Sequence, residues 1–433
     1  MSDHGVQYRT VDQLQVDEIC RRHELLWSGR PGGARAAFNY CIMDGLNLSN
    51  RDLSDADFTG ATLIGADLSG SVLNSASFYG ADLRRSSLAG ASLRRADMRG
   101  ASLRGANLQG ADLSETDLRE GTIAQLDKER GLSVIKHRTR PGEMTMANFQ
   151  GANLSRSKMS GSTAQRADFT DAVMLGARMV KANLRSAVFS GANLEGADLS
   201  GADLTDADLT DSVLINTNLK MARLDNCDRT GALTDQPAGR EMRELERPVE
   251  AMIEDHIRWC ATAGREGQPS LFDNTDLRPL KSLAGKTLTA FHASGATLYG
   301  LDLEGAQLQG AKLERADLRM ACLRGADLRG ADLTGARLNN ADLRDCKLGP
   351  LKLENDRILP ASLAAAKIRY ADLSGADLRY AKASGADFSY TSLVGAKVLD
   401  AHFTGSCFTG ARIDGDFRND VHDADGAVDL DAA

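Results

Sequence analysis

The sequence predicts a repetitive coil with four sides, in which the backbone turns a corner every five residues. Three observations carry this expectation. The stretch "GANLEGADLSGADLTDADLTDSVL" (191–214) places a leucine at 194, 199, 204, 209 and 214, a period of five that suits neither the 3.6 of a helix nor the 2 of a strand. Each such slot also has specified neighbours. A small residue stands two places before it (Ala56, Ala66, Ala81, Ala96), Asp or Asn often stands one before, and Gly often two after. Finally, the phenylalanines sort into columns 20 residues apart: Phe38, Phe58 and Phe78; Phe149, Phe169 and Phe189; Phe388 and Phe408. A period of five alone would not sort them so, whereas four five-residue sides per turn would stack them on one face.

The unit A-(D/N)-L-x-x recurs along most of the chain, far beyond a chance match, and it resembles the pentapeptide repeat family. That resemblance implies an all-β fold, a right-handed quadrilateral parallel β-helix. In such a solenoid each pentapeptide forms one side, and its Leu and small residue point inward. One coil cannot stand alone, because ordering about 20 residues costs more backbone entropy than burying four Leu-sized side chains returns. Stability must come from stacking, and the end coils need covers against edge-to-edge pairing.

The elements follow in order. Residues 1–37 are read as an N-terminal capping segment. Within it, "TVDQLQVDEICRRHELLW" (10–27) suggests a helix with Val11, Leu14, Ile19, Leu26 and Trp27 toward a core, and Thr10 with Gln13 as a capping box. The first repeat array occupies 38–123. An insertion follows at 124–146, "AQLDKERGLSVIKHRTRPGEMTM", and the array continues over 147–228, resuming one residue out of phase at Phe149. Residues 229–270 form a linker and a second capping helix. Its segment "VEAMIEDHIRWCATAGREG" (249–267) echoes "VDEICRRHELLWSGRPGG" (16–33), each with a His shortly before a Trp and then a Gly-rich exit. The echo reads as an internal duplication into halves at 1–235 and 236–418. The second array occupies 271–418. The remainder, 419–433, reads as an acidic disordered tail, since the last fifteen residues carry five Asp and no Lys or Arg.

Composition narrows the function. The chain has 433 residues and a formal net charge of -8. It has no apolar run of about 18 residues and no basic-then-apolar leader, so no membrane span is expected and the cytoplasm is the default location. The seven cysteines stand far apart, without C-x-x-C spacing, and read as small buried residues. No nucleophile-base grouping, phosphate loop or metal spacing is visible, so neither an enzyme nor a bound cofactor or metal is expected. The pairs His23/Trp27 and His256/Trp259 read as packing in the caps.

Three sets of residues are candidates for partner binding. The 124–146 loop carries Lys128, Arg130, Lys136, His137, Arg138 and Arg140, and a loop leaving a rigid frame is where binding tends to reside. An acidic face is read at Glu195, Asp198, Asp203, Asp206, Asp208 and Asp211. Near the end, Phe403, Phe408, Ile413 and Phe417 either bury a dimer contact or form the last core layer. The resulting expectation is a non-enzymatic protein-interaction scaffold on a rigid β-helical rod, with a protein partner and no direct nucleic-acid or membrane contact; a homodimer is a further expectation. The alternative comes from the resemblance, since some family members imitate the negatively charged DNA duplex and bind DNA gyrase. The acidic run suits that role, because a mimic must offer negative charge where DNA offers phosphates.

Overall fold

Each pentapeptide first closes a turn within itself. The amide of Ala66 donates to the carbonyl of Leu63 at 3.1 Å, and between them Gly65 sits at φ +67, the positive φ that the third residue of a type II turn requires. The same position is held by Asn50, Asp55, Ser75, Arg85 and Arg95, all with φ between +56 and +60. Only then does the unit reach its neighbour: Leu63 donates to Asp82 at 2.7 Å, and Asp82 donates back to Ala61 at 2.9 Å. Single parallel bridges repeat this link with a stride of 20, as in Ala37 to Asp57, Asp57 to Ser77 and Ser77 to Asp97.

This computed structural model describes residues 8–121, 123–127, 131–135, 142–355, 357–421 and 424–430, and it corrects the expected all-β class. Among the described residues regular strand is confined to three two-stranded pairs: β1 (Arg9–Thr10) with β2 (Cys41–Ile42), β3 (Ile123–Asp127) with β4 (Gly131–Ile135), and β5 (Leu351–Lys352) with β6 (Ile358–Leu359). Three helices accompany them, α1 (Gln13–Trp27), α2 (Val249–Ala261) and α3 (Gly415–Asp420). Among the described residues no strand-built sheet curls round the repeats, so the right-handed quadrilateral parallel β-helix, or β-solenoid, is not what is observed. The cause lies in the turns. A left-handed residue at every fifth position leaves a single ladder-forming residue between corners, too few to make a strand. The repeats are turns joined by isolated bridges.

The chain divides into two compact units, Met1–Asp235 and Gln236–Ala433. In the first, the slot residues Phe38, Met43, Leu48 and Leu53 and the small residues Ala56, Ala61 and Ala66 are fully buried. Phe38, Phe58 and Phe78 stack with ring centroids 5.1 and 4.6 Å apart, and Phe149, Phe169 and Phe189 at 4.9 Å each. The ladder is interrupted once. Ser102 bridges Glu143, not a residue 20 away, so 21 residues intervene beyond the stride and the hairpin β3–β4 lies among them. An excess of 21 shifts a five-residue register by one, which is the phase change seen at Phe149.

Helix α1 covers the start of this unit, with Val11 before it and Ile19 on it toward the core as expected, but not Leu14, Leu26 or Trp27. Its N-cap is Asp12, whose side chain accepts from the amide of Gln15 at 2.9 Å while Gln15 returns a bond to the Asp12 amide; Thr10 and Gln13 do not form the box. The buried stripe is Val16, Cys20 and His23, whereas Leu14, Leu26 and Trp27 are exposed. Spacings of four and three make that stripe helical, but it contains a His that reads as polar.

In the second unit α2 buries Val249, Ile253 and His256. The core continues through Leu283, Leu288 and Leu298 to Phe388, Phe403 and Phe408. Here the ladder leaves the stride more than once: near the cap Arg240 bridges Thr275, Leu271 bridges His292 and Asp276 bridges Thr297, and near the end Cys407 bridges Val428. One skip between them holds a hairpin. Asp332 bridges Ser362, ten residues beyond the stride, and the hairpin β5–β6 occupies the gap. Residues 424–430, expected to be disordered, lie against the last turns: Val428 bridges Cys407, and Phe408 donates to the Val428 carbonyl at 2.9 Å.

Candidate partner-binding surface

The six basic candidates, Lys128, Arg130, Lys136, His137, Arg138 and Arg140, lie outside the described residues. The two strands between which Lys128 and Arg130 fall are placed. Ile123 pairs with Ile135 and Asp127 with Gly131, so the insertion contains an antiparallel hairpin.

The acidic candidates do not form one face. Asp198 stands in the bridge column of Arg178 and Asn218, Asp203 in that of Asn183 and Arg223, and Asp208 in that of Val188 and Asp228. Their carboxylates are also engaged. Asp198 accepts from the amide of Ser200 at 3.1 Å and from Asn218 Nδ2 at 3.0 Å. Asp203 accepts from the amide and hydroxyl of Thr205 at 3.1 and 2.6 Å, and Arg185 and Arg223 each approach it to 3.7 Å. Asp208 accepts from the amide of Thr210 at 2.8 Å, and Asp206 meets Arg185 at 3.4 Å and Asn226 at 3.1 Å. Hydrogen bonds from Ser200 and Thr205 hold Asp198 and Asp203 below the usual carboxylate range, because each stabilises the charged form. These aspartates close turns and do not present a row of phosphate-like charges.

The same economy appears, among the described side chains, where Asp is followed two places later by Arg. Arg84 folds onto Asp82 at 2.6 Å, Arg99 onto Asp97 at 2.7 Å, Arg119 onto Asp117 at 2.6 Å, Arg344 onto Asp342 at 2.6 Å and Arg379 onto Asp377 at 2.7 Å. The signal was present in the sequence as D-L-R and D-M-R. It lowers the charge that these tiers show to a partner.

The C-terminal set forms a core layer, not a free surface. Phe403, Phe408 and Phe417 are fully buried, with ring centroids 5.4 Å (403 to 408) and 5.9 Å (408 to 417) apart, and Phe388 stacks on Phe408 at 5.2 Å. Ile413 is half-buried against them. Helix α3, capped by Asp414 on the Phe417 amide at 3.0 Å, supplies Phe417 as the lid.

Both cap histidines are structural. His23 Nδ1 accepts the amide of Ala36 at 3.1 Å, with Trp27 Nε1 at 3.1 Å from its other ring nitrogen. His256 Nδ1 accepts the amide of Ser270 at 3.0 Å and its Nε2 lies 3.1 Å from the Thr289 carbonyl. Each pins the chain that leaves the cap to the helix above it. Among the described residues Asp302, Glu304 and Cys322 bring potential ligand atoms within 4.8 Å, but Arg324 lies 3.7 Å from Glu304 and supplies the counter-charge.

What sequence reasoning missed is the hairpin β5–β6. Its Leu353, Ile358 and Leu359 are exposed by 38, 47 and 40%, an apolar group on a projection from otherwise polar turns. Its ten extra residues equal two pentapeptides, so the leucine phase runs through it unbroken and gives no warning.

A family model described as "Pentapeptide repeats (8 copies)" matches residues 52–119, 147–228, 287–349 and 361–415 in overlapping segments, more than half of the chain. No curated protein matches. Among solved structures, the pentapeptide repeat protein Rfr23 from the cyanobacterium Cyanothece 51142 is 27% identical, covering 30% of this chain and 89% of its own, with a TM-score of 0.25. Full-length QnrB1, a plasmid-mediated fluoroquinolone resistance protein, is 21% identical over 46% of this chain and 92% of its own, with a TM-score of 0.19. HetL from Nostoc sp. strain PCC 7120, involved in heterocyst differentiation regulation, is 21% identical over 93% and 94%, with a TM-score of 0.11. No helix among the described residues is long and apolar enough to cross a membrane.

Proposed function

Because the chain belongs to the pentapeptide repeat family, a family of non-catalytic scaffolds, we propose that it is an interaction scaffold whose two units hold projecting hairpins toward a protein partner. Membership alone is compatible with either a protein-binding or a gyrase-modulating role. One observation carries the scaffold reading: each unit has a hairpin set into its bridge ladder, β3–β4 where Ser102 reaches Glu143 and β5–β6 where Asp332 reaches Ser362. Elsewhere in the described ladder, Asp–Arg pairs such as Asp82–Arg84 and Asp342–Arg344 close on their own turns. A hairpin held at both ends by a rigid ladder has little ordering entropy left to lose on binding.

The test compares capture of host proteins by the full chain with capture by two deletions, 121–141 and 350–359. Each removes a whole insertion and restores the stride of 20. Loss of the same captured protein from at least one deletion, with unchanged far-UV circular dichroism, is the expected result. Equal capture by all three chains would sink the hairpin reading. Inhibition of gyrase supercoiling by micromolar protein, retained in both deletions, would replace it with the gyrase-modulating role.

A further inference from the structure

A cavity of about 250 Å³ opens in the second unit between residues 240–247, α2 and the segment 268–271. We propose that it binds a carboxylate carried on a small apolar group, such as a free amino acid or the C-terminal residue of a peptide. Four observations converge on it. Arg240 borders the cavity and, among the described residues, bonds only neutral oxygens, the Leu271 carbonyl at 3.4 Å and Thr275 Oγ1 at 3.3 Å. Next to Leu271, Ser270 is 2% exposed and its hydroxyl has no hydrogen-bond partner, although its amide is satisfied by His256. As the side chain stands this hydroxyl is closed to a water-sized sphere, so a ligand oxygen meets it only after χ1 turns toward the cavity, and then removes the cost of a bond left unmade.

Charge and size complete the case. Arg247 and Arg258 share one carboxylate, Asp255, at 2.7 and 3.1 Å, so among the lining residues Arg240 is the guanidinium that meets no carboxylate, and Glu246 balances its charge from the rim. A guanidinium with free donors matches a carboxylate in geometry as well as charge. Leu245 and Met252 are half-buried and line the apolar part. The volume lies below the ~300–1,000 Å³ of drug-sized pockets, so the occupant is about one residue in size. Glu246, exposed on the rim, distinguishes the two sources. It would accept the ammonium of a free amino acid, whereas a peptide terminus has none at that place.

The experiment is isothermal titration of the full chain with leucine, with a short acetylated peptide ending in leucine, and with leucinamide and the amidated peptide as controls. Saturable binding of at least one carboxylate form is expected, with no binding of its amide. Arg240→Gln should weaken it about tenfold by removing a charge-assisted pair. Arg240 also holds the Leu271 carbonyl, so Ser270→Ala serves as the second variant. It should weaken binding severalfold while the melting temperature holds or rises, since the hydroxyl makes no bond in the free protein. Binding of leucine that Glu246→Gln weakens assigns the site to free amino acids, and binding of the peptide unaffected by that change assigns it to chain termini. No saturable binding at millimolar ligand, equal binding of the amides, or unchanged affinity in both Arg240→Gln and Ser270→Ala would each overturn the proposal.

Discussion

Residue by residue, the repeat separates sharply into positions that tolerate change and positions that do not. Leu199 is fully buried, whereas its neighbour Asp198 points outward and accepts from the Ser200 amide and Asn218 Nδ2 through one oxygen. Leu199→Asp should therefore unfold or aggregate the protein, because it buries a charge without a partner. Asp198→Asn keeps the accepting oxygen and should leave the melting temperature nearly unchanged. Equal thermal stability of the two variants would contradict the inward placement of Leu199. Glycines at the corners differ among themselves in the same way. Gly60 and Gly65 have nearly equal φ, +63 and +67, but a Cβ on Gly60 would come within 2.5 Å of the Tyr40 ring, while one on Gly65 meets nothing within 4 Å. Gly65→Ala should cost about 1 to 2 kcal/mol for the left-handed backbone. Gly60→Ala should cost clearly more, as measured by urea unfolding, because Tyr8 stands edge-on to Tyr40 at 6.1 Å and limits where that ring can go.

Among the elements, the caps and the hairpins obey different rules. Asp12→Ala removes the side-chain half of the box on α1, leaving the backbone amide of residue 12 to donate to Gln15, and should cost about 1 kcal/mol. Burial of His256 holds its pKa below the ordinary 6.5, with the neighbouring His292 acting in the same direction and the Thr289 and Leu288 backbone opposing it. The fold thus favours the neutral ring, and the stabilisation is complete above 6.5 and is lost as the pH falls below it. Between about pH 6.5 and 5, before most carboxylates titrate, stability should decline, and His256→Phe should flatten that decline even though it lowers the plateau. A slope in that window identical in wild type and variant would refute the assignment. Deleting 350–359 should leave a folded protein, since Gly349 then meets Pro360 and Asp332 recovers a partner 20 residues away. The leucine period could announce the inward residues and the 21-residue break, because both alter the register. It could not announce the second hairpin, whose length preserves the register, or the buried stripe of α1, where Cys20 and His23 do the work of aliphatic residues.

At the scale of the whole chain, two separate cores follow from the two units: the buried cluster of the first runs from Val11 to Leu214, and that of the second from Val249 to Phe417. Residues 1–235 and 236–433 expressed alone should each fold, with summed circular dichroism equal to that of the intact chain. Aggregation of either half would show that it depends on the other. The duplication was legible because each copy repeats His, Trp and a Gly-rich exit. The absence of strand-built walls was not, since the inward pattern of Leu and Ala is the same whether a side holds one extended residue or four. The stride that links Asp57 to Ser77 and then leaps from Ser102 to Glu143 and from Asp332 to Ser362 also leaves a trace for genetics. Compensating substitutions among homologues should fall along a diagonal offset by 20, with jogs to 41 and 30 where the hairpins intervene and to 35 or 21 near the ends of the second unit, so that sequence variation alone would reveal in any relative how many residues were spliced in and at which corner.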